Sequence, residues 1–400
     1  MANSNLTKAK KAKNDEFYTQ FADIQKEIEA YLEYDADTFR DKVVYCNCDD
    51  PFESNFFRYF VLNFNRLGLK QLITTSYKPS PVANTQLSLI GEDLELPVKG
   101  RPKQTANKFI INEVGDTDGD GAFNLKDVAE QLRANKNNEW APLKGDGDFR
   151  SEECVELLKQ SDIVVTNPPF SLFREYMAQL VKYEMKFLII GNMNAITYKE
   201  IFPLIAQNRM WLGPSISSGD REFLVPKDYA RNKLAVRIDS DGNEFLRVNG
   251  VRWFTNLDHG RRHQPLALMT MADNLKFNKK LEGQTRYYKY DNYDAIDVPF
   301  TNAIPSDYGG VMGVPISFLN KYNPDQFEIV AFRKGNDGKD LTYTVISGNT
   351  HTHTHKYNLT SESSFATRVP GLFNNPKDTT VNGESRYARI TIRHRNPRND

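Results

Sequence analysis

The 400-residue chain is long enough for about two domains with a sizeable core, and its formal net charge is zero. It has neither a signal peptide nor an apolar run that could span a bilayer, and its three cysteines suit neither disulfides nor zinc, so we expect a reduced, cytoplasmic protein without a membrane partner. Residues 1–259 hold 33 basic and 38 acidic side chains and residues 260–400 hold 19 and 14, which is typical of a C-terminal nucleic-acid-binding region but also within ordinary surface variation.

The N-terminal part reads as a polar arm followed by the first helices and strands of a sheet. Residues 1–13 include four lysines, which suit either contact with DNA phosphates or a solvated tail. Apolar residues at helical spacing predict a helix over 24–32, and a first buried strand follows over 43–48. A second helix, to about residue 67, leads to a second strand over 71–77.

An insertion and an acidic loop come next. Residues 78–107 contain four prolines and are predicted to be an insertion, and a strand over 108–114 leads into the loop 116–127. This loop resembles a calcium loop, with carboxylates at its positions 1, 3, 5 and 12. The four carboxylates that would hold the ion are Asp116, Asp118, Asp120 and Asp127. An acidic turn that caps the following helix explains the same residues, and both interpretations stay open.

A stiff turn follows the next predicted strand. Ile163, Val164 and Val165 form a β-branched run, which favours a strand buried on both faces. Asn167-Pro168-Pro169-Phe170 ends this strand, because neither proline can donate a main-chain hydrogen bond. In open α/β sheets ligands bind at this carboxyl end of the strands, so we expect the turn to face a ligand.

The side chains of this turn suit methyl transfer to an aromatic amine. The adenine amino nitrogen is a poor nucleophile because its lone pair is delocalised into the ring. The Asn167 amide oxygen and the Pro168 carbonyl can accept hydrogen bonds from it and draw it toward a tetrahedral geometry. Phe170 can stack on an extruded base. A strand-ending proline turn without chemistry is the alternative.

The segments after the turn predict a parallel sheet that is covered on both faces. A helix over 172–183, a strand over 186–191 and a helix over 196–208 alternate in the manner of an α/β protein. Residues 221–259 alternate strand-like segments with turns, and we expect them to close the sheet.

From about residue 260 the composition changes to mixed tyrosine and basic residues. Such mixtures serve base stacking and phosphate contacts, although tyrosine-rich loops also simply pack. The residues concerned are Arg286, Tyr287, Tyr288, Lys289, Tyr290 and Tyr293, followed by Arg386, Arg389, Arg393 and Arg395 in a terminal strand pattern.

Four motifs together resemble one known family. Asn167–Phe170 after an apolar strand resembles the catalytic motif of amino-methyltransferases that use S-adenosylmethionine. With it, Gly145–Ser151, Trp253–His259 and Val311–Ser317 resemble segments of the EcoRI-type adenine-specific DNA methyltransferase family. The resemblance runs from about Phe17 to the last strand. It implies a Rossmann-like class I methyltransferase of the α/β class, with a mostly parallel sheet and a smaller C-terminal target-recognition region.

The resemblance also implies which residues form the site. Asn167, Pro168, Pro169 and Phe170 would be catalytic. The residues that would contact S-adenosylmethionine are Phe17, Tyr18, Thr19, Cys48, Asp49, Asp50, Asp148, Phe149 and Asn167. Two features depart from the family pattern. Ser54 and Asn55 stand where a glycine-rich cofactor loop is expected, and the second strand ends without an acidic residue for the cofactor ribose.

The implied organisation is a flexible basic arm over 1–13, a methyltransferase domain over 14–259 and a target-recognition region over 260–400. The implied reaction is site-specific methylation of a flipped adenine in double-stranded DNA, for restriction–modification or protection of host DNA. A cognate restriction endonuclease would act separately on the same site. Two alternatives remain: a methyltransferase for another acceptor (cytosine, RNA or a protein glutamine), and a non-catalytic DNA-binding module, which the missing glycines favour.

Overall fold

A computed structural model describes most of the chain and divides it into two compact units. The described residues are 19–48, 54–77, 106–117, 119, 123–124, 127–128, 130–131, 137–217, 220–225, 236–291, 293–333, 342–347, 351–356, 380–382, 384–386 and 388–398. Those within Met1–Ile201 and Met210–Gly260 form the first unit, and those within Phe202–Arg209 and Arg261–Asp400 form the second. The predictions for the arm, for most of the insertion and for Phe17, Tyr18, Asp49, Asp50, Asp118 and Asp120 lie outside the described residues.

The first unit is built on an eight-stranded sheet. Its strands are β1 (Val43–Asn47), β2 (Gln71–Thr75), β3 (Asn107–Ile111), β4 (Glu139–Pro142), β5 (Ile163–Thr166), β6 (Lys186–Asn192), β7 (Trp211–Leu212) and β11 (Val251–Thr255), and their order in space is β4-β3-β2-β1-β5-β6-β11-β7. β2, β1, β5 and β6 pair in parallel, whereas β3 and β11 run in the opposite direction to the other six strands. The prediction of an α/β protein with a mostly parallel sheet is thus confirmed.

Besides the helical residues 127–128 and 130–131, seven helices accompany the strands in the described part of the chain. They are α1 (Phe21–Leu32), α2 (Asn55–Leu62), α3 (Phe64–Leu67), α4 (Glu152–Lys159), α5 (Phe173–Lys182), α6 (Phe202–Ala206) and α7 (Met271–Phe277), together with the 3-10 turns Phe170–Leu172, Met193–Thr197, Gly260–His263, Lys279–Leu281, Thr301–Ala303 and Ile316–Lys321. Among the described residues, no helix has the length and apolar character needed to traverse a bilayer.

Both faces of the central strands are covered. Every residue of β1 and β5 is buried. On one face, apolar side chains of α1 and α2 pack in a single core with inward residues of the sheet: Ile24, Ile28, Phe56, Phe60, Val44, Val165 and Trp253. On the other face, α5 brings the Phe173 ring to 5.1 Å from the Phe254 ring. Gly191 of β6 permits this approach, since a Cβ there would lie 2.5 Å from Phe173.

Two predictions for residues 196–259 were wrong in detail. The helix expected over 196–208 is a 3-10 turn followed by the short α6, because Pro203 cannot donate the main-chain hydrogen bond that a continuous helix needs. Of the described strands within 221–259, only β11 joins the main sheet. β8 (Arg221–Val225), β9 (Val236–Ile238) and β10 (Glu244–Val248) form a separate antiparallel sheet in the order β8-β10-β9.

The second unit contains a four-stranded sheet in the order β12-β13-β19-β14 and two short hairpins, β15–β16 and β17–β18. The strands are β12 (Ile296–Asp297), β13 (Met312–Pro315), β14 (Phe327–Arg333), β15 (Thr342–Ser347), β16 (His351–Lys356), β17 (Thr380–Val381), β18 (Glu384–Ser385) and β19 (Arg389–His394).

A buried polar cluster lies in this sheet. Asp297 accepts hydrogen bonds from Arg389 Nε at 3.1 Å and from the hydroxyl of Tyr290 at 2.5 Å, and all three residues are buried. Tyr287 is also buried, and its hydroxyl donates to the carbonyl of Ala303. For Tyr287 and Tyr290 the structure therefore favours packing over base stacking.

Candidate active site

The predicted turn lies directly after β5. Asn167, Pro168 and Pro169 are buried, and Phe170 is half-buried against the main core. The Leu172 N–H donates to the Pro169 carbonyl at 2.9 Å, which closes the 3-10 turn that leads into α5. The β-branched run and the two prolines thus produce the strand, the turn and the helix locally.

The end of β1 lies beside this turn. The parallel register pairs Tyr45 with Val164, and its continuation brings Asn47 beside Thr166 and Cys48 beside Asn167. Thr166 Oγ1 donates to the main-chain carbonyl of Asn47 and joins the two strand ends. Cys48 adopts a left-handed conformation with φ of 62°, so the chain turns sharply as β1 ends. We call the border formed by the carboxyl ends of β1, β2, β5 and β6 the catalytic edge.

Tyr176 ties α5 to the same place, a role that the sequence analysis missed. Its hydroxyl donates to the side-chain oxygen of Asn47, and both residues are buried. The Phe149 ring packs edge-on against the Tyr176 ring at 5.0 Å. In the sequence, Tyr176 follows Phe173 at helical spacing, which identifies a core residue but not its hydrogen-bond partner.

The segment 145–149 reaches the catalytic edge through a close contact with β2. Gly147 has φ of +76°, and a Cβ on it would lie 1.9 Å from the Ser76 carbonyl oxygen. This contact brings Asp148 and Phe149 to the carboxyl end of β2. Gln179 of α5 donates to the Phe149 carbonyl at 2.9 Å and holds the segment from its other side.

The Asp148 carboxylate is oriented by its neighbour. Arg150 donates to Asp148 Oδ1 through Nε at 2.9 Å and to Oδ2 through Nη2 at 2.7 Å. This hydrogen-bonded pair raises the pKa of the Arg150 guanidinium, which remains charged. The fork fixes the plane of the Asp148 carboxylate.

Ser54 and Asn55 have structural roles at the start of α2. Ser54 accepts a hydrogen bond from the Phe56 N–H at 3.1 Å and caps the helix. Asn55 donates to the main-chain carbonyl of Thr19 at 2.8 Å. These residues therefore fix the start of the helix that follows β1 and anchor the buried Thr19 beside it. They lack the main-chain conformational freedom of the glycines that the family pattern led us to expect.

The structure describes only part of the acidic loop. The two oxygens of the buried Asp127 accept hydrogen bonds from the N–H groups of Thr117 and Asn124, each at 2.8 Å. Asp116 Oδ1 accepts from the Gly119 N–H at 2.7 Å. These bonds fit a turn that the carboxylates themselves stabilise. Because Asp118 and Asp120 are outside the described residues, calcium binding stays a prediction.

Of the residues predicted for the cofactor, those within the described ranges lie on connected elements. Cys48 and Asn167 end neighbouring strands, Asp148 and Phe149 meet the end of β2, and Thr19 is bonded to the start of α2. The arrangement offers an aromatic ring, a fixed carboxylate and main-chain groups at the edge of the sheet where α/β proteins bind nucleotides.

Comparison with known proteins gives a consistent result. The model of the family described as "Adenine-specific methyltransferase EcoRI" matches residues 5–395. The chain is 46% identical over 342 residues to the Type II methyltransferase M.EcoRI of Escherichia coli, a match that covers 85% of this chain and 92% of that protein. It is 36% identical to the Type II methyltransferase M.MpnI of Mycoplasma pneumoniae, with 81% and 84% covered. No solved structure matches the chain significantly.

Proposed function

Since the chain belongs to the EcoRI family of adenine-specific methyltransferases, we propose that it transfers a methyl group from S-adenosylmethionine to the amino group of an adenine in duplex DNA. The observation that carries this proposal is the buried Asn167–Phe170 turn at the carboxyl end of β5. A stacked, paired base cannot enter such a turn, so the adenine has to leave the duplex first. The family description names adenine, which favours this acceptor over cytosine or a protein glutamine.

The cofactor is proposed to bind along the catalytic edge, in a Rossmann-like arrangement. Phe149 offers a ring for the adenine moiety, and Asp148 supplies a carboxylate beside the end of β2, which itself lacks the expected acid. Gly147 fits this arrangement because, without a Cβ, its main chain can lie against the Ser76 carbonyl at the end of β2. When bound, S-adenosylmethionine supplies an electrophilic methyl group on a positively charged sulfur. Phe17, Tyr18, Asp49 and Asp50 complete the proposed set.

The chemistry is assigned to three residues of the turn. The Asn167 amide oxygen and the Pro168 carbonyl accept hydrogen bonds from the amino group, and these bonds strengthen as the nitrogen becomes tetrahedral. Phe170, which is half-buried at the same turn, is assigned to stacking on the base. The nitrogen becomes strongly acidic on alkylation, so its proton can pass to solvent without a dedicated base.

Residues 260–400 are proposed to form the target-recognition region. Their surplus of basic side chains supports this role. Phe277 and Phe300 are exposed in this unit, and each carries a lysine over its ring, Lys276 and Lys280 respectively, both at 4.9 Å from the ring centre. Such pairs suit stacking and phosphate contacts better than the buried tyrosines do. In a restriction–modification system, a cognate endonuclease would cut the same site when it is unmethylated.

The proposal is tested by sequencing DNA from a host that expresses the protein, with a method that detects N6-methyladenine. We expect methylation at a single sequence motif with the wild type and none with Asn167→Ala. Thermal unfolding of the purified variant without ligands serves as the control for its folding. A host with no methyladenine, although the purified wild type binds the cofactor, would refute the adenine assignment.

A further inference from the structure

One buried arginine of the first unit has no carboxylate partner among the described residues. Arg252 on β11 is only 5% exposed. Its Nη1 donates to the Val251 carbonyl at 2.6 Å and its Nη2 to the Ser217 carbonyl at 3.2 Å, while its Nε has no hydrogen-bond partner in the part of the chain that the structure describes. Removing a guanidinium from water without a counter-charge is costly. This cost suggests that something other than stability retains the arginine.

A second arginine increases the positive charge. Burial, with the charge of Arg221 as a smaller contribution, lowers the pKa of Arg252. Arg221 donates to the Asp220 carbonyl at 3.1 Å, but the Asp220 carboxylate itself is bound by Arg247 at 2.8 Å. Within the described residues, the remaining carboxylate is that of Asp23, 3.6 Å from Arg221 Nε. Burial raises the pKa of Asp23, and the charge of Arg221 opposes this shift.

The main chain of Arg252 lies close to the catalytic edge. The register of β11 pairs Arg252 with Gly191 of β6, and the register of β6 with β5, continued by two residues, brings Gly191 beside Pro168. The Cα of Arg252 is therefore two strand spacings from the turn, a separation of roughly 10 Å. One extruded nucleotide spans a comparable distance between its base and its phosphate. α1, which carries Asp23, begins next to Thr19, so the cofactor is also within reach.

We propose that Arg252 and Arg221 form an oxyanion-binding site that a substrate of the methyl-transfer reaction fills. The planar fork of an arginine suits both phosphate and carboxylate groups. Two sources carry that chemistry here: the DNA phosphate next to the flipped adenine, and the carboxylate of the methionine part of the cofactor. The inference rests on the proposed function, because it takes its anion from one of the two proposed substrates.

The test replaces Arg252 by methionine and Arg221 by glutamine in the full-length protein. The matched control is Arg237→Gln, which removes an exposed arginine from β9, in the same small sheet as Arg221, where it is paired with Glu222 at 2.8 Å. Calorimetry measures S-adenosylmethionine affinity, and titration of duplex DNA at several salt concentrations measures DNA affinity. Thermal unfolding without ligands separates a binding role from a structural one, because a structural arginine would lower the melting temperature when replaced.

We expect Arg252→Met to melt at or above the wild-type temperature, since it relieves a buried charge. If the anion is a phosphate, the slope of log affinity for DNA against log salt should fall by about one unit, with cofactor affinity unchanged. If it is the methionine carboxylate, cofactor affinity should fall at least tenfold while the salt slope stays the same. The proposal would be overturned if Arg252→Met left both affinities unchanged, as we expect for Arg237→Gln. Should Arg252→Met fail to fold, Arg221→Gln provides the same test. A wild type that binds neither substrate would instead refute the proposed function.

Discussion

The main chain of Gly147 touches the carbonyl oxygen of Ser76 so closely that a Cβ on Gly147 would lie 1.9 Å from it. This contact joins two segments that are far apart in sequence, and it holds Asp148 and Phe149 at the end of β2. Gly147→Ala should therefore displace both residues, because the clash is with main chain and φ is +76°. We expect S-adenosylmethionine affinity to fall at least tenfold, measured by calorimetry.

The same segment offers a matched control. Gly145 has open space around the position of an added Cβ, with nothing within 4 Å. Gly145→Ala should bind the cofactor as the wild type does. Equal affinities for the two alanine variants would show that the Gly147 contact does not position the cofactor site.

A second prediction concerns Phe170. If its ring stacks on the flipped base, Phe170→Ala should lose roughly 1–3 kcal/mol of base capture. Phe170→Tyr and Phe170→Trp should keep part of the activity, because they retain an aromatic face. A fluorescent base analogue at the target position reports flipping, and single-turnover methylation reports chemistry. Normal flipping and methylation by Phe170→Ala would assign the stacking to another aromatic residue.

A third prediction concerns the stability of the second unit. Asp297→Ala removes the carboxylate that accepts from both Arg389 and Tyr290, and breaking a buried pair of this kind costs about 3–5 kcal/mol of unfolding free energy. Asp294→Ala is the control, because the Asp294 side chain is 99% exposed and should change stability by less than about 0.5 kcal/mol. Denaturant unfolding measures both variants. Equal stabilities would mean that this cluster does not hold the sheet together.

A fourth prediction concerns the acidic loop. If the carboxylates of 116–127 hold calcium in a structural role, the ion should raise the melting temperature, and Asp118→Ala should remove that rise. Asp146→Ala, which removes an exposed carboxylate outside the loop, should leave it intact. A melting temperature that calcium does not change would favour the self-stabilised turn, in which the Asp127 oxygens accept from main-chain N–H groups.

Local sequence patterns were sufficient to predict the strand and turn at the centre of the first unit. They were insufficient to predict the contacts between segments that are distant in sequence. The run 163–165 and the two prolines after it define a strand and its end without help from distant residues. The contact of Gly147 with Ser76 and the bond of Asn55 to Thr19 depend on pairing across the chain, for which spacing gives no signal. Likewise, alternation identified strands within 221–259 but did not reveal that β8, β9 and β10 pair with one another.

The basic, tyrosine-rich segments show a second limit. Tyrosines interleaved with cations look the same in sequence whether they stack on bases or pack in a core. Only the register of β13 with β12 and β19, which brings Asp297 and Arg389 into one layer, distinguishes the two outcomes for Tyr290.

The chain crosses between the two units three times, because Phe202–Arg209 belongs with the second unit while the residues on both sides of it belong with the first. During synthesis, the described strands of the first unit have all emerged once residue 260 has left the ribosome. α6 emerges before that point, but the Phe332 ring that lies 5.2 Å from its Phe202 is made much later. We therefore expect that in nascent chains the apolar α6 stays exposed until β14 has been synthesised. Fragments that end near residue 260 should keep α6 exposed and should aggregate.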